Sequence, residues 1–194
     1  MKRTQTTLSA ITPIILLLLF LFTPAQSQPI PDFQVNENAS PDGSEQSEPD
    51  IAGDGNGNYV VTWKDKRNGS NFDIYAQIYS SAGTASGPNF KVSQDPGSGS
   101  QYRSRVAVDP NLNFVITWID KRSRDWDIYA QRFSSDGSPL GDNFKVNEDT
   151  GTEEQEHPGI FIDGSGNFTI VWADERDGDW DIYGARLVED EPEE

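Results

Sequence analysis

The tripeptide Asp-Ile-Tyr starts at Asp73, Asp127 and Asp181, once every 54 residues. Trp63, Trp118 and Trp172 recur at spacings of 55 and 54, and so do the series Gln46/Gln101/Gln155, Asp65/Asp120/Asp174 and Arg67/Arg122/Arg176. A further marker reads FQVNE at Phe33, FKVSQ at Phe90 and FKVNE at Phe144. A chain that repeats itself in this way builds one supersecondary unit several times, and each unit buries its apolar faces against its neighbours.

Each unit holds four short strand candidates. PDIA, RVAV or GIFI comes first, and the turn DGNGN, DPNLN or DGSGN follows it. YVVTW, FVITW or FTIVW is the second strand. A charged loop then leads into the third, which begins at Asp-Ile-Tyr. After a Gly/Ser/Pro-rich turn comes the fourth, Phe-x-Val-Asn/Ser. Runs of β-branched and aromatic residues bounded by Gly, Asn, Asp and Pro are strand signals, and no helical periodicity competes with them after residue 27. Strands two and three are apolar on both sides: Phe114, Ile116 and Trp118 point one way and Val115 the other, while Ile128 and Ala130 oppose Tyr129 and Phe133. A sheet that is apolar on both faces must be covered on both. The predicted fold is therefore all-β, with three four-stranded propeller-type blades, each covered by its neighbours. The β-trefoil, also three repeats of four strands, is the alternative, as is a fragment of a longer propeller array.

The pattern Phe-x-Val-Asn … Gly-Asn-Phe-Val-x-x-Trp-x-Asp-x-Arg … Asp-Ile-Tyr-Ala-Gln-Arg-Phe resembles the propeller-type repeats of secreted bacterial proteins, from Phe33 to about Val188. The resemblance implies a fold and little about activity. The third unit departs from it: Gly159 stands where Arg105 does, and Ala185 where Gln131 does.

Residues 1–27 read as a signal peptide: Lys2 and Arg3, then an apolar core from Ile11 to Ala25, then the small-x-small site Ala25–Ser27. The most apolar stretch, Ile14–Phe22, is shorter than the roughly 20 residues of a membrane-spanning helix. The expected domain is 28–188, with an acidic tail at 189–194. Secretion or periplasmic export follows, without membrane insertion after cleavage. The net charge of −17 argues against nucleic acid as a partner, and the lack of cysteine leaves stability to packing.

Phe33 opens a fourth-type strand that precedes the first full unit, whereas the last unit stops after its third strand. The N-terminal strand is thus able to close the last blade. Three blades are fewer than the roughly 4–8 of known propellers, so the expected partner is a second copy, the homodimer forming a six-bladed ring. A glycan or protein ligand is the other expected partner.

Asp54/Asn56/Asn58, Asp109/Asn111/Asn113 and Asp163/Ser165/Asn167 space oxygen-bearing residues like the start of a calcium loop. The next residue is aromatic where an EF-hand needs Gly, so a hairpin turn is the favoured reading and no cofactor is expected beyond that weak calcium candidate. The charged loops gather Asp65, Arg67 and Phe72, then Asp120, Arg122 and Trp126, then Asp174, Arg176 and Trp180. Rings of this make-up suit sugars; the competing reading is a lock between blades. Gln46, Gln101 and Gln155 are placed to bond across blades. The chain has one histidine, His157, read as a surface residue beside Pro158. With no repeated triad and no marked carboxylate pair, the expectation is no enzyme but a non-catalytic binding or scaffolding protein, with a lectin-like module next and a propeller-class hydrolase last.

Overall fold

Each hairpin begins at an aspartate that organises its own turn. Asp54 Oδ1 accepts the backbone N–H of Asn56 at 2.7 Å and of Asn58 at 3.1 Å, and Oδ2 accepts the Asn58 side-chain amide at 2.6 Å. Asp109 takes the same three bonds, from the Asn111 and Asn113 backbones and the Asn113 amide. Asp163 takes them from the Ser165 and Asn167 backbones and the Asn167 amide. This is an Asx-type turn, and it satisfies the carboxylate internally.

The computed structural model describes residues 31–37, 44–95, 99–123 and 125–188. The signal-peptide and acidic-tail readings lie outside these. Among the described residues there are strands and no helices. The first blade comprises β1 (Gln46–Gly53), β2 (Tyr59–Asp65), β3 (Asp73–Tyr79) and β4 (Phe90–Lys91), antiparallel in that order. The second repeats this with β5 (Gln101–Val108), β6 (Phe114–Asp120), β7 (Asp127–Phe133) and β8 (Phe144–Lys145). The third has β9 (Gln155–Ile162), β10 (Phe168–Asp174) and β11 (Asp181–Leu187), with no fourth strand among the described residues. Each repeat forms its own meandering sheet. A trefoil would instead merge its repeats in one barrel, so the propeller-type architecture is the one observed, as an unclosed row of three blades.

The two-sided apolar pattern is used as expected. Val60, Ile74, Ala76 and Ile78 on the back of the first blade pack with Val106, Phe114, Ile116, Trp118 and Phe133 on the front of the second. Val115, Ile128, Ala130 and Val146 on the back of the second do the same with Phe168, Ile170 and Trp172 of the third. Burying one such side chain is worth about 1.5–3 kcal/mol. The front of the first blade, Val61, Trp63, Tyr75 and Tyr79, is met by Val35.

A bulge interrupts the first strand of every blade. Two residues of the first strand face one of the second between Ser47 and Asp50, between Tyr102 and Arg105, and between Glu156 and Gly159. At the same place in each bulge a non-glycine residue adopts a left-handed backbone: Glu48 (φ 56°), Arg103 (φ 54°) and His157 (φ 56°). Strands β1, β5 and β9 pack on one another from blade to blade, so these bulges form a column on the inner side of the row.

Candidate functional site

Asp65, Asp120 and Asp174 end the second strands and are fully buried. Each accepts three kinds of donor: the indole N–H two residues earlier, the backbone N–H two residues later, and the guanidinium of that later arginine. In the second blade the distances are 2.9 Å from Trp118, 2.9 Å from the Arg122 backbone and 2.6 Å from Arg122 Nη2. Each guanidinium also lies over a tyrosine of its own blade, Arg67 on Tyr75, Arg122 on Tyr129 and Arg176 on Tyr183, at 4.0–4.3 Å from the ring centre. Burial pushes Asp174 up, but the bonds from Arg176 and Trp172 outweigh it and hold the carboxyl at about 2. Asp65 is lowered in the same way, by Arg67 and Trp63 against its burial. These six Asp and Arg residues therefore hold the fold together. The lock was expected between blades; it lies within each blade, because residues i and i+2 around the strand end reach one another first.

Glutamine supplies one set of the bonds between blades. Gln101 Oε1 accepts from Ser93 of the first blade at 3.2 Å, and Gln155 Oε1 accepts from Asn147 of the second at 2.9 Å. Gln46 accepts from Asn36 at 3.2 Å. The same side chains also bond backbone, Gln101 Nε2 donating to Gly99 O at 2.8 Å and Gln155 Nε2 to Glu153 O at 2.9 Å.

The three loop aromatics differ in placement. Phe72 lies 5.4 Å from Tyr102, and Tyr102 lies 5.3 Å from Trp126, a row of rings crossing from the first blade to the second. Lys64 and Lys121 cap Phe72 and Trp126 as cations at 4.7 Å and 4.8 Å. Trp180 is half exposed.

The calcium-candidate residues take part in the hydrogen bonds of the turns. Asn56, Asn111 and Ser165 meet their aspartates through backbone N–H groups, as donors rather than as oxygen ligands. Asn58, Asn113 and Asn167 turn their side-chain amide nitrogens, not their oxygens, toward Asp54, Asp109 and Asp163. Donors surround each carboxylate where a cation would need a ring of acceptors. No group of three acidic or histidine residues able to hold a metal occurs among the described residues. The alternate spacing of Asp and Asn serves the hairpin, where each aspartate accepts the turn's N–H groups.

The bulge column gathers chemistry that no repeat marker singled out. Glu48 Oε1 pairs with Lys64 at 2.8 Å, and its Oε2 accepts the backbone N–H of Arg103 at 2.9 Å. Arg103 Nη1 donates to Glu156 at 2.7 Å and lies 2.8 Å from His157 Nε2. Burial pushes Glu48 up, but Lys64 and the Arg103 N–H together hold its carboxyl below the ordinary value. Glu48, Lys64, Tyr102, Arg103, Trp126 and Glu156 line a groove of about 220 Å³. Glu48, Arg103 and His157 also border a second hollow beside it. An ionised carboxylate, an imidazole, a bidentate-capable guanidinium and a row of rings thus share one inner surface.

No protein-family model matches the sequence, and no curated protein matches it. Among solved structures, the chain is similar to the endo-arabinase of Bacteroides thetaiotaomicron VPI-5482, with a TM-score of 0.45 and 19% identity, over 71% of this chain and 55% of that one. The chain thus spans about half the length of the structure it matches. That structure is an enzyme's, which conflicts with the expectation of a non-catalytic binding or scaffolding protein, and that expectation is not carried further.

Proposed function

We propose that the inner bulge column is an acid–base site that hydrolyses a glycan. The observation that carries this reading is a break in the repeat. Residues the blade needs are the same three times: Trp63/Trp118/Trp172, Asp65/Asp120/Asp174, Gln46/Gln101/Gln155. At the bulge the backbone is the same three times, within 2° in φ, but the side chains are Glu, Arg and His. A purely structural left-handed position favours Gly in every copy. Three reactive side chains held there instead fit strain kept for function, and bulges recur beside active sites because they re-aim a side chain.

The roles follow from the contacts. Glu48, held ionised beside Lys64, takes a proton from the water whose oxygen bonds to the anomeric carbon. His157, whose imidazole can carry a proton, gives one to the leaving oxygen as the glycosidic C–O bond breaks. Arg103 stands between the two and stabilises negative charge as it develops. The rings Tyr102 and Trp126 offer apolar faces to a sugar. Export after cleavage at residue 27 would bring such a site to polysaccharide outside the cell.

The test is reducing-sugar release from a panel of neutral and uronic-acid polysaccharides by the protein lacking residues 1–27. Glu48→Gln and His157→Gln are expected to lose at least about 100-fold in rate while melting as the parent does. No release from any member of the panel, or equal rates in the variants, overturns the reading.

A further inference from the structure

The two ends of the blade row carry the two halves of one interface. The back of the third blade lacks the cover that the other backs have: Ile182 is 79% exposed, where its equivalents Ile74 and Ile128 are 0%. Val171 is 43% exposed, where Thr62 and Thr117 are 0%. The front of the first blade is buried at Val61, Trp63, Tyr75 and Tyr79 but open along β1. Ile51 is 61% exposed there, where Val106 in the second blade is 6%.

The segment before the first blade already behaves as part of a blade in front of it. Val35 packs on the first blade's front, as Val92 does on the second's and Val146 on the third's. The Glu37 N–H donates to Asn89 at 2.7 Å, as the Gln94 N–H donates to Asn143 at 2.7 Å. Asn36 donates to Gln46 as Asn147 does to Gln155. Residues 34–37 thus hold the place of an outer strand whose three inner strands are not among the described residues, while β11 presents an outer edge that no described strand pairs with.

We infer that a second copy of this chain joins the two, its third blade stacking on the first blade of its partner and its β11 pairing with the partner's Gln34–Asn36. The register follows from the complete blades. Tyr75 faces Lys91 and Tyr129 faces Lys145, so Tyr183 faces Gln34 of the other copy. Val92 N–H bonds Ile74 O at 2.8 Å and Val146 N–H bonds Ile128 O at 2.7 Å, so Val35 bonds Ile182 O. Gln101 N–H bonds Phe72 O and Gln155 N–H bonds Trp126 O, both at 2.8 Å, so Gln46 N–H meets the carbonyl of the half-exposed Trp180.

Side-chain size points the same way. Within the row, the small Ala52 on one back shares a core with the larger Val108 on the next front. At the open faces the sizes are exchanged: Phe161 replaces Ala on the third back and is 65% exposed, while Gly53 replaces Val on the first front. Gly53, Ile51 and Tyr59 border an open hollow of about 510 Å³, room for the Phe161 ring of a second copy. A front-to-back contact is heterologous and must close into a ring or run on as a filament. The described residues of one copy make three blades, and two copies make six, within the roughly 4–8 that propellers use. Each ring then carries two bulge columns, but the inference does not depend on what those columns do.

The experiment is native mass spectrometry, with sedimentation at about 20 µM, on the protein lacking residues 1–27. The expected mass is two chains. Ile182→Asp and Phe161→Asp, both on an exposed face, are expected to give folded single chains with the parent strand content. A parent of one chain, a parent of three or more, or two-chain variants each overturn the inference. Glycan hydrolysis is scored separately, so loss of one reading leaves the other standing.

Discussion

The indole N–H of Trp172 donates to the Asp174 carboxylate at 2.7 Å, and the same bond joins Trp118 to Asp120 and Trp63 to Asp65. A buried carboxylate that bonds an indole and a guanidinium is costly to remove, because both donors lose their partner. Asp120→Ala is expected to cost about 3–5 kcal/mol. Urea unfolding followed by tryptophan fluorescence checks this; a cost under about 1 kcal/mol would mean that the donors find water instead.

Protons act on the same bond. A carboxyl with a lowered folded-state pKa stabilises the fold above its unfolded value, and loses that contribution as pH falls through the folded value. For Asp174 the window runs from the ordinary 3.8 down to about 2, a contribution of about 2 kcal/mol. Asp65, also lowered, adds to the loss in the same direction. Melting temperature is expected to be flat from neutrality to about pH 4 and to drop below it. Asp174→Asn, already uncharged, is expected to start lower and to show a shallower acid limb.

The repeat made the scaffold legible in the residues themselves. Trp63, Asp65, Arg67 and Gln46 stood out because every blade needs the same lock and the same clasp, and identity at a fixed spacing marks them. The partners were not legible. Asp65 binds Arg67 of its own blade, whereas spacing alone allowed a neighbour. Asn58, Asn113 and Asn167 were legible as oxygen-bearing residues, but which end of each amide faces the aspartate is fixed only by the folded turn. The inner column was hidden for a different reason: Glu48, Arg103 and His157 share a backbone state and no residue type. No Gly announced the left-handed turn, and His157, exposed as expected, is brought beside Arg103 only by the bulge.

The hairpin turns give a prediction about metal. Asp54 has its oxygens filled by Asn58 and Asn56, and these bonds, that from the Asn58 amide first, hold its carboxyl below the ordinary value. Calcium and a chelator are expected to leave the melting temperature unchanged within a degree or so, by calorimetry. A rise with calcium that Asp54→Asn removes would show the turn opening to admit the ion.

Equivalent isoleucines report which blade faces are covered. Ile128 is fully buried between the second and third blades. Ile128→Ala is expected to cost about 2–5 kcal/mol. Ile182 occupies the same place on the third blade but is exposed in the single chain. Measured at sub-micromolar protein, Ile182→Ala is expected to change stability by less than about 0.5 kcal/mol; at high concentration it is expected to lower the melting temperature, because only there does a second copy cover it.

The bulge column separates stability from chemistry. A non-glycine side chain at φ near +55° is strained by about 1–3 kcal/mol, and Gly adopts that backbone freely. His157→Gly removes the strain and an exposed ring, so the fold is expected to hold or to gain up to about 1 kcal/mol. Glu48→Gly also gives up the bonds to Lys64 and Arg103, which offsets part of the same gain. Both are expected to lose glycan hydrolysis by at least about 100-fold. Unfolding free energy and reducing-sugar release, measured on the same preparations, decide it. Gain of stability with loss of activity is the signature of strain kept for function; loss of stability at both positions would mean that the three bulges serve the blades alone.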